Sequence, residues 1–327
     1  MPIDAEPRPR ILLTRCWPAE VVSRLRGRYE VVVDEQDRPL DEAALTASMR
    51  TCDAICPTVT DRIGASILDA PGARVRILAN YGAGFEHIDL VAASRAGIVV
   101  SNTPDVLTDA TAELALTLML MASRRASEGE RELRSGQWTG WRPTHLVGLD
   151  LRGKVLGLVG FGRIAQRTAR LAQAALGMHI LYHSRRRAES PAELAGATFV
   201  EDLDALLAQA DVISLHCPGG AETHHLIDAA RLGRVKPTAI LINTARGTVV
   251  DERALAAALR DGRLAAAGLD VYEREPRVWE GLLPLANAVL LPHLGSATAD
   301  TRIAMGMRAA DNLDAFFDGR TPPDLVA

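Results

Sequence analysis

Cysteine is scarce: Cys16, Cys52, Cys56 and Cys217 are scattered through 327 residues, and only Cys52 and Cys56 lie close together. That spacing excludes a disulfide framework and reads as reduced thiols. Long apolar runs are missing too. The most apolar stretch, 114–122, is far shorter than the roughly 20 residues a membrane-spanning helix needs, so no span is expected. Charge of one sign is also lacking, since 37 Lys and Arg face 41 Asp and Glu for a formal charge of −4. Only Arg185-Arg186-Arg187 forms a local basic cluster, which gives no footprint for sequence-independent nucleic-acid binding. The first ten residues carry no apolar leader, so a cytoplasmic protein with a frayed tail over residues 1–9 is expected. Low-complexity segments and short-period repeats are absent, and no metal is expected.

What is present is an ordinary apolar fraction of 48% in a chain long enough for two domains at roughly 100–200 residues each. Short β-branched runs at 11–13, 31–33, 54–56, 76–79 and 98–100 alternate with helical patterns at 18–25, 41–48 and 88–96, the last stopped by Gly97. A second series begins at Lys154, with strands near 155–159, 179–182, 212–215 and 239–242. Both read as α/β units with parallel sheets covered by helices. Between them, 108–125 is apolar on nearly every face, with Thr108 or Asp109 as its N-cap. Such a helix needs burial on all sides, as the central helix of one domain or at an interface.

The strand at 155–159 runs into Gly160-Phe161-Gly162-Arg163-Ile164-Ala165 and then a helix ending at Gly177. This is G-x-G-x-x-A in the strand–turn–helix setting of a dinucleotide site. Gly160 permits the tight turn, Gly162 lets the backbone approach a pyrophosphate, and small Ala165 allows close helix–strand packing. After the second strand of the unit, an NAD site would place a carboxylate on the ribose. Here the chain reads Ser184-Arg185-Arg186, donors that suit a 2′-phosphate, so NADP(H) is favoured and NAD(H) is the secondary possibility.

Three dense segments follow: 242–247 (Ile-Asn-Thr-Ala-Arg-Gly), 267–276 (ending Tyr-Glu-Arg-Glu-Pro) and 291–298 (Leu-Pro-His-Leu-Gly-Ser-Ala-Thr). With His216-Cys217-Pro218 and Asn80-Tyr81-Gly82-Ala83-Gly84, they resemble the D-isomer-specific 2-hydroxyacid dehydrogenases over nearly the whole chain. The resemblance implies that Arg246 holds the 2-oxo acid. A guanidinium there can bind the substrate carboxylate and polarise the carbonyl. His293 matches the family's acid/base histidine, whose imidazole titrates near working pH. On sequence alone Glu273 and Glu275 compete as its partner, and the match to the Glu-Pro position favours Glu275. The same resemblance places Asp270 and Thr108 against the cofactor, with Gly160, Gly162, Arg163, Ile164, Ser184, Arg185, Arg186, Cys217, Pro218, Thr244 and Ala245. It gives Gly82 and Ala83 backbone N–H groups that bind the substrate carboxylate, alongside Arg246 and His293.

The family topology implies a Rossmann-type dinucleotide-binding domain, 104–295, inserted into a flavodoxin-like substrate domain, 1–103 and 296–327, with the active site in the cleft. Ser-Arg-Arg and Trp138-Thr139-Gly140-Trp141 resemble the glyoxylate/hydroxypyruvate reductase subgroup. Ala165 for Gly and Gly219-Gly220 for a bulkier pair depart from the common pattern. An NADPH-dependent reductase of small 2-oxo acids is therefore expected, acting as a homodimer through 112–122 and the two tryptophans. The alternatives are a reductase of larger 2-keto acids such as 2-ketogluconate, and a dinucleotide-sensing protein like the corepressors that resemble this family.

Overall fold

The computed structural model describes residues 7–188, 194 and 196–327, so six of the nine residues read as a tail, 1–6, lie outside the described residues. The chain forms two compact units, Met1–Leu107 with Ser296–Ala327, and Thr108–Gly295.

The first unit contains β1 (Arg10–Leu13), α1 (Ala19–Arg26), β2 (Glu30–Val32), α2 (Glu42–Thr51), β3 (Ala54–Cys56), α3 (Ala65–Leu68), β4 (Ile77–Ala79), α4 (Leu90–Arg95) and β5 (Val99–Ser101), then the C-terminal helix Ala299–Phe317. The strands form one parallel sheet in the order β2-β1-β3-β4-β5, the flavodoxin-like arrangement. Every residue of β3 and β4 is buried, as a strand covered on both faces requires. Side chains alternate across the sheet. Leu12, Ile55, Leu78 and Val100 pack under α2, α3 and α4, while Ile11, Leu13 and Ile77 meet Met305, Ala309 and Leu313 of the C-terminal helix. Asp41, Asp89 and Thr298 start α2, α4 and the last helix by accepting N–H groups three residues on.

The second unit contains α5 (Thr108–Ser123), α6 (Ala126–Arg134), β6 (Val155–Val159), α7 (Arg163–Leu176), β7 (His179–His183), β8 (Thr198–Phe199), α8 (Leu203–Gln209), β9 (Val212–Leu215), α9 (Ala229–Leu232), β10 (Ile240–Asn243), α10 (Glu252–Arg260), β11 (Ala266–Leu269) and β12 (Ala288–Leu290). All seven strands are parallel, in the order β12-β11-β10-β9-β6-β7-β8. Counted from β6, the first six follow the Rossmann order 3-2-1-4-5-6, and the strand order reverses between β6 and β9, where such sheets bind ligands at their carboxyl ends. The described helices include none long and apolar enough to cross a membrane.

One expectation needs correction. α5 is not covered on all sides within the chain: Ala112, Ala115, Leu118, Met119 and Ala122 are buried, but Glu113, Thr117 and Leu120 are exposed. The reason is its period, because the buried positions recur every three to four residues and leave a stripe open. Thr108 is the first helical residue and not the cap. The following α6 buries none of its residues, and Trp138 and Trp141 beyond it are 51% and 82% exposed.

Candidate active site

The sequence-selected residues of the second unit fall on loops at the carboxyl ends of neighbouring strands. Gly160 follows β6 with φ of +88°, and a Cβ there would stand 2.7 Å from the Cys217 backbone nitrogen after β9. Both the backbone conformation and the close approach demand glycine. Gly162 is the N-cap of α7 without a side-chain cap, and a Cβ on it would meet open space. The first N–H groups of the helix, beginning at Arg163 and Ile164, are thus offered to an anion. Ala165 is fully buried, so its methyl fits the helix–sheet contact that the missing glycine would have served.

After β7, Ser184 donates to the Arg186 carbonyl at 2.6 Å, and Arg185 pairs with Glu222 at 2.7 Å, both side chains largely exposed. Pro218 is exposed beside buried Cys217. His216 is half-buried against the Ser214 hydroxyl at 2.9 Å, and desolvation lowers its pKa to about 4, which keeps the ring neutral.

After β10, the Asn243 side chain shapes the turn that carries Thr244, Ala245 and Arg246. It accepts from the Ala245 N–H at 3.0 Å and donates to the Arg246 carbonyl at 2.9 Å. Sequence reading did not single out Asn243, although Asn is a usual former of such turns. The Thr244 hydroxyl is buried and has no partner among the described residues. An uncapped helix N-terminus over open space and an orphaned buried hydroxyl on the loop two strands along the sheet fit a dinucleotide.

On the loops after β11 and β12 lie Glu275 and His293, the residues expected to form an acid/base pair. His293 Nδ1 sits 2.8 Å from Glu275 Oε2, and Glu275 Oε1 accepts the Tyr272 N–H at 3.0 Å. That arrangement leaves Nε2 as the nitrogen for a reacting oxygen. Glu273, the competitor, is engaged elsewhere, accepting the Glu252 N–H. Burial pushes the Glu275 pKa up, but the hydrogen bond from His293 and the nearby charges of His293 and Arg246 outweigh it, and the net shift is downward. His293 has φ of +56°, uncommon for a residue with a side chain. Asp270 holds it there: its two carboxylate oxygens accept the Leu294 and Gly295 N–H groups at 2.6 and 2.8 Å, and its carbonyl accepts the His293 N–H at 2.9 Å. Burial is the leading cause of the raised Asp270 pKa.

The lowered Glu275 pKa has a testable sign. A carboxyl whose folded value lies below its unfolded 4.5 contributes stability above 4.5 that is lost as pH falls through the folded value. Calorimetric melting of Glu275→Gln should therefore show a Tm deficit near neutral pH that closes in acid. A deficit independent of pH would reject the ionic pairing.

Gly82 and Ala83 belong to the first unit, on the loop after β4. Asn80 donates to the Gly82 and Gly84 carbonyls, each at 2.9 Å, the Thr103 N–H reaches the Gly82 carbonyl at 3.0 Å, and Asn102 donates to the Ala83 carbonyl at 2.7 Å. Three consecutive carbonyls are tied within the unit.

The family model for the D-isomer specific 2-hydroxyacid dehydrogenase, NAD binding domain, matches residues 116–295. The chain belongs to this family. It is an NAD(P)-dependent oxidoreductase of 2-hydroxy and 2-oxo acids. Among its relatives, a glyoxylate reductase of Thermococcus kodakarensis is 45% identical over 98% of this chain and 96% of its own. One from Aeropyrum pernix is 44% identical over 98% and 96%. Among solved structures, an NADPH-dependent glyoxylate/hydroxypyruvate reductase of Sinorhizobium meliloti, in complex with NADP and malonate, is 39% identical. It superposes with a TM-score of 0.87 over 98% of this chain and 97% of that one.

Proposed function

We propose that this enzyme reduces glyoxylate and hydroxypyruvate to glycolate and D-glycerate, with NADPH preferred over NADH. The observation that carries the reading is the Glu275–His293 pair at 2.8 Å, with Arg246 near enough to lower the Glu275 pKa, in the same unit as a glycine turn of the dinucleotide-binding type. Glyoxylate reductases among the relatives, and the bound NADP of the Sinorhizobium meliloti enzyme, support the substrate and the cofactor.

The dinucleotide would be held by Gly160, Gly162, Arg163, Ile164, Cys217, Pro218, Thr244, Ala245, Asp270 and Thr108, and when bound it supplies the hydride. Arg246 receives the 2-oxo acid, one face of its fork on the carboxylate and the other on the carbonyl oxygen, where negative charge grows. His293 Nε2 donates its proton to that oxygen, making the hydroxyl. Glu275 on Nδ1 fixes the tautomer and the orientation of the ring. Of the two expected carboxylate donors on the loop after β4, the Gly82 N–H is already given to the Asn80 carbonyl at 3.1 Å, so the Ala83 N–H is the one assigned to the substrate carboxylate.

Cofactor choice rests on Ser184, Arg185 and Arg186. The exposed Arg185–Glu222 pair is weak in water and easily released to a phosphate. A charge-assisted contact contributes about 1.5–3 kcal/mol, and about 1.4 kcal/mol is a factor of ten, so one good contact gives roughly tenfold discrimination. A steady-state panel of 2-oxo acids with both dinucleotides should show highest kcat/KM for glyoxylate or hydroxypyruvate with NADPH. Arg185→Ala and Arg186→Ala should raise KM for NADPH while leaving KM for NADH nearly unchanged. Equal use of both dinucleotides, or equal loss with both, would defeat the preference.

The enzyme is also proposed to act as a homodimer. Leu120 on the open stripe of α5 and the exposed Trp138 and Trp141 are apolar surface of the kind that interface cores bury. Light scattering should return twice the chain mass of 35.1 kDa; a monomer at all concentrations would reject it.

A further inference from the structure

Outside the groups already assigned, one cluster of titratable side chains joins the loop of Arg246 to the loop of Glu275. Glu252, the first residue of α10, and Glu273 exchange bonds: the Glu252 N–H donates to Glu273 Oε1 at 2.9 Å, and the Glu273 N–H donates to Glu252 Oε1 at 2.8 Å. Glu252 is only 7% exposed. His225 adds a third link, with Nε2 3.2 Å from Glu273 Oε1 and its own N–H on the Thr248 carbonyl at 2.8 Å. A Cβ on Gly247 would stand 1.8 Å from the Tyr272 carbonyl carbon, so the backbone next to Arg246 lies directly on the backbone next to Glu273. Tyr272 in turn holds Glu275.

Two carboxylates side by side are a costly way to join two loops. Burial raises the Glu252 pKa first of all, and the Glu273 charge raises it further. Apolar packing would hold the loops together at lower cost, but without fixing their register. The exchange fixes it, because each carboxylate takes the backbone N–H of the other residue.

We propose that Glu252 and Glu273, with His225, form a clasp of positioning residues that sets Arg246 in register with the Glu275–His293 pair. The proposal rests on the catalytic roles assigned above. A displaced Arg246 would grip the 2-oxo acid less well in both ground and transition states, while the glycine turn that meets the dinucleotide would be untouched. Displacements of about 1 Å can cost up to about 10²-fold in rate.

The test uses the full-length enzyme, with glyoxylate and NADPH as probes. Glu273→Ala should lower kcat/KM for glyoxylate at least about tenfold, through both a higher KM and a lower kcat. The dissociation constant for NADPH, from nucleotide fluorescence, should stay within about twofold. Glu273→Gln, whose amide oxygen still accepts the Glu252 N–H, should recover most of the loss. Glu252→Ala combined with Glu273→Ala should be no worse than either alone, since both open one clasp. Melting curves establish that each variant is folded at the assay temperature. A fall in kcat with KM unmoved, or failure of Gln to recover, would mean that the cluster serves only stability and would overturn the clasp. Full activity in Arg246 and His293 variants would remove the catalytic reading itself, a result distinguishable because those variants leave the clasp intact.

Discussion

His293→Ala should lower kcat for reduction of a 2-oxo acid by about 10²–10⁴-fold, the usual cost of losing a positioned acid, while changing the dinucleotide dissociation constant little. The size follows from how much of the structure is spent on that one ring. Its Nδ1 is engaged by Glu275, so Nε2 is the nitrogen left to protonate a carbonyl oxygen. Its left-handed backbone is held by the Asp270 carboxylate across the Leu294 and Gly295 N–H groups. A backbone forced into this region costs of order 1–3 kcal/mol and persists only when its surroundings over-determine it. Asn at this position adopts the backbone readily but carries no group that titrates near neutrality, so His293→Asn should lose as much rate as Ala. The check is a pre-steady-state measurement of the chemical step across pH, with dinucleotide binding followed separately. Near-wild-type turnover in either variant would remove His293 from the chemistry.

The parts of this site legible in the sequence are those where one residue type is chemically or sterically forced. Gly160 must be glycine for two independent reasons, a positive φ and a 2.7 Å approach to the Cys217 backbone, so the turn is visible before any fold is known. Arg246, Glu275 and His293 were selected because their segments resemble a family; spacing along a chain cannot show that Glu275 and His293 lie 2.8 Å apart. What stayed hidden depends on the fold. Asp270 and its Leu294 and Gly295 partners belong to loops after different strands, and Glu252 and Glu273 meet only because β10 and β11 are neighbours. Strands β8 and β12, two and three residues long, are too short to show a period. The open stripe of α5 is compatible only with the interface alternative of the two the sequence offered: Leu120 reads as core by type, and only the helical phase places it with Glu113 and Thr117.

Arg246→Lys should prove nearly as damaging as His293→Ala, lowering kcat/KM for the 2-oxo acid by roughly 10²–10³-fold, the range for losing a donor aimed at developing negative charge. Lysine keeps the charge, so the prediction turns on shape. Arg246 leaves the chain on a turn shaped by Asn243, and its Nη1 donates back to the Ala245 carbonyl at 2.7 Å, which fixes the plane of the fork. Gly219 provides room for the stem, since a Cβ there would come within 3.1 Å of the Arg246 Cγ. This gives a physical reason for glycine at position 219 in this chain. A guanidinium held in one plane presents parallel donors to a carboxylate and a neighbouring carbonyl oxygen together; an ammonium on a flexible stem satisfies one at a time. The loss should appear in KM as well as kcat, because the carboxylate contact is present before the transition state and the carbonyl contact strengthens only within it. NADPH binding should be unaffected in the same variant. A Lys enzyme with unchanged kcat/KM would show that a point charge suffices and that the planar fork of Arg246 is not what anchors the substrate.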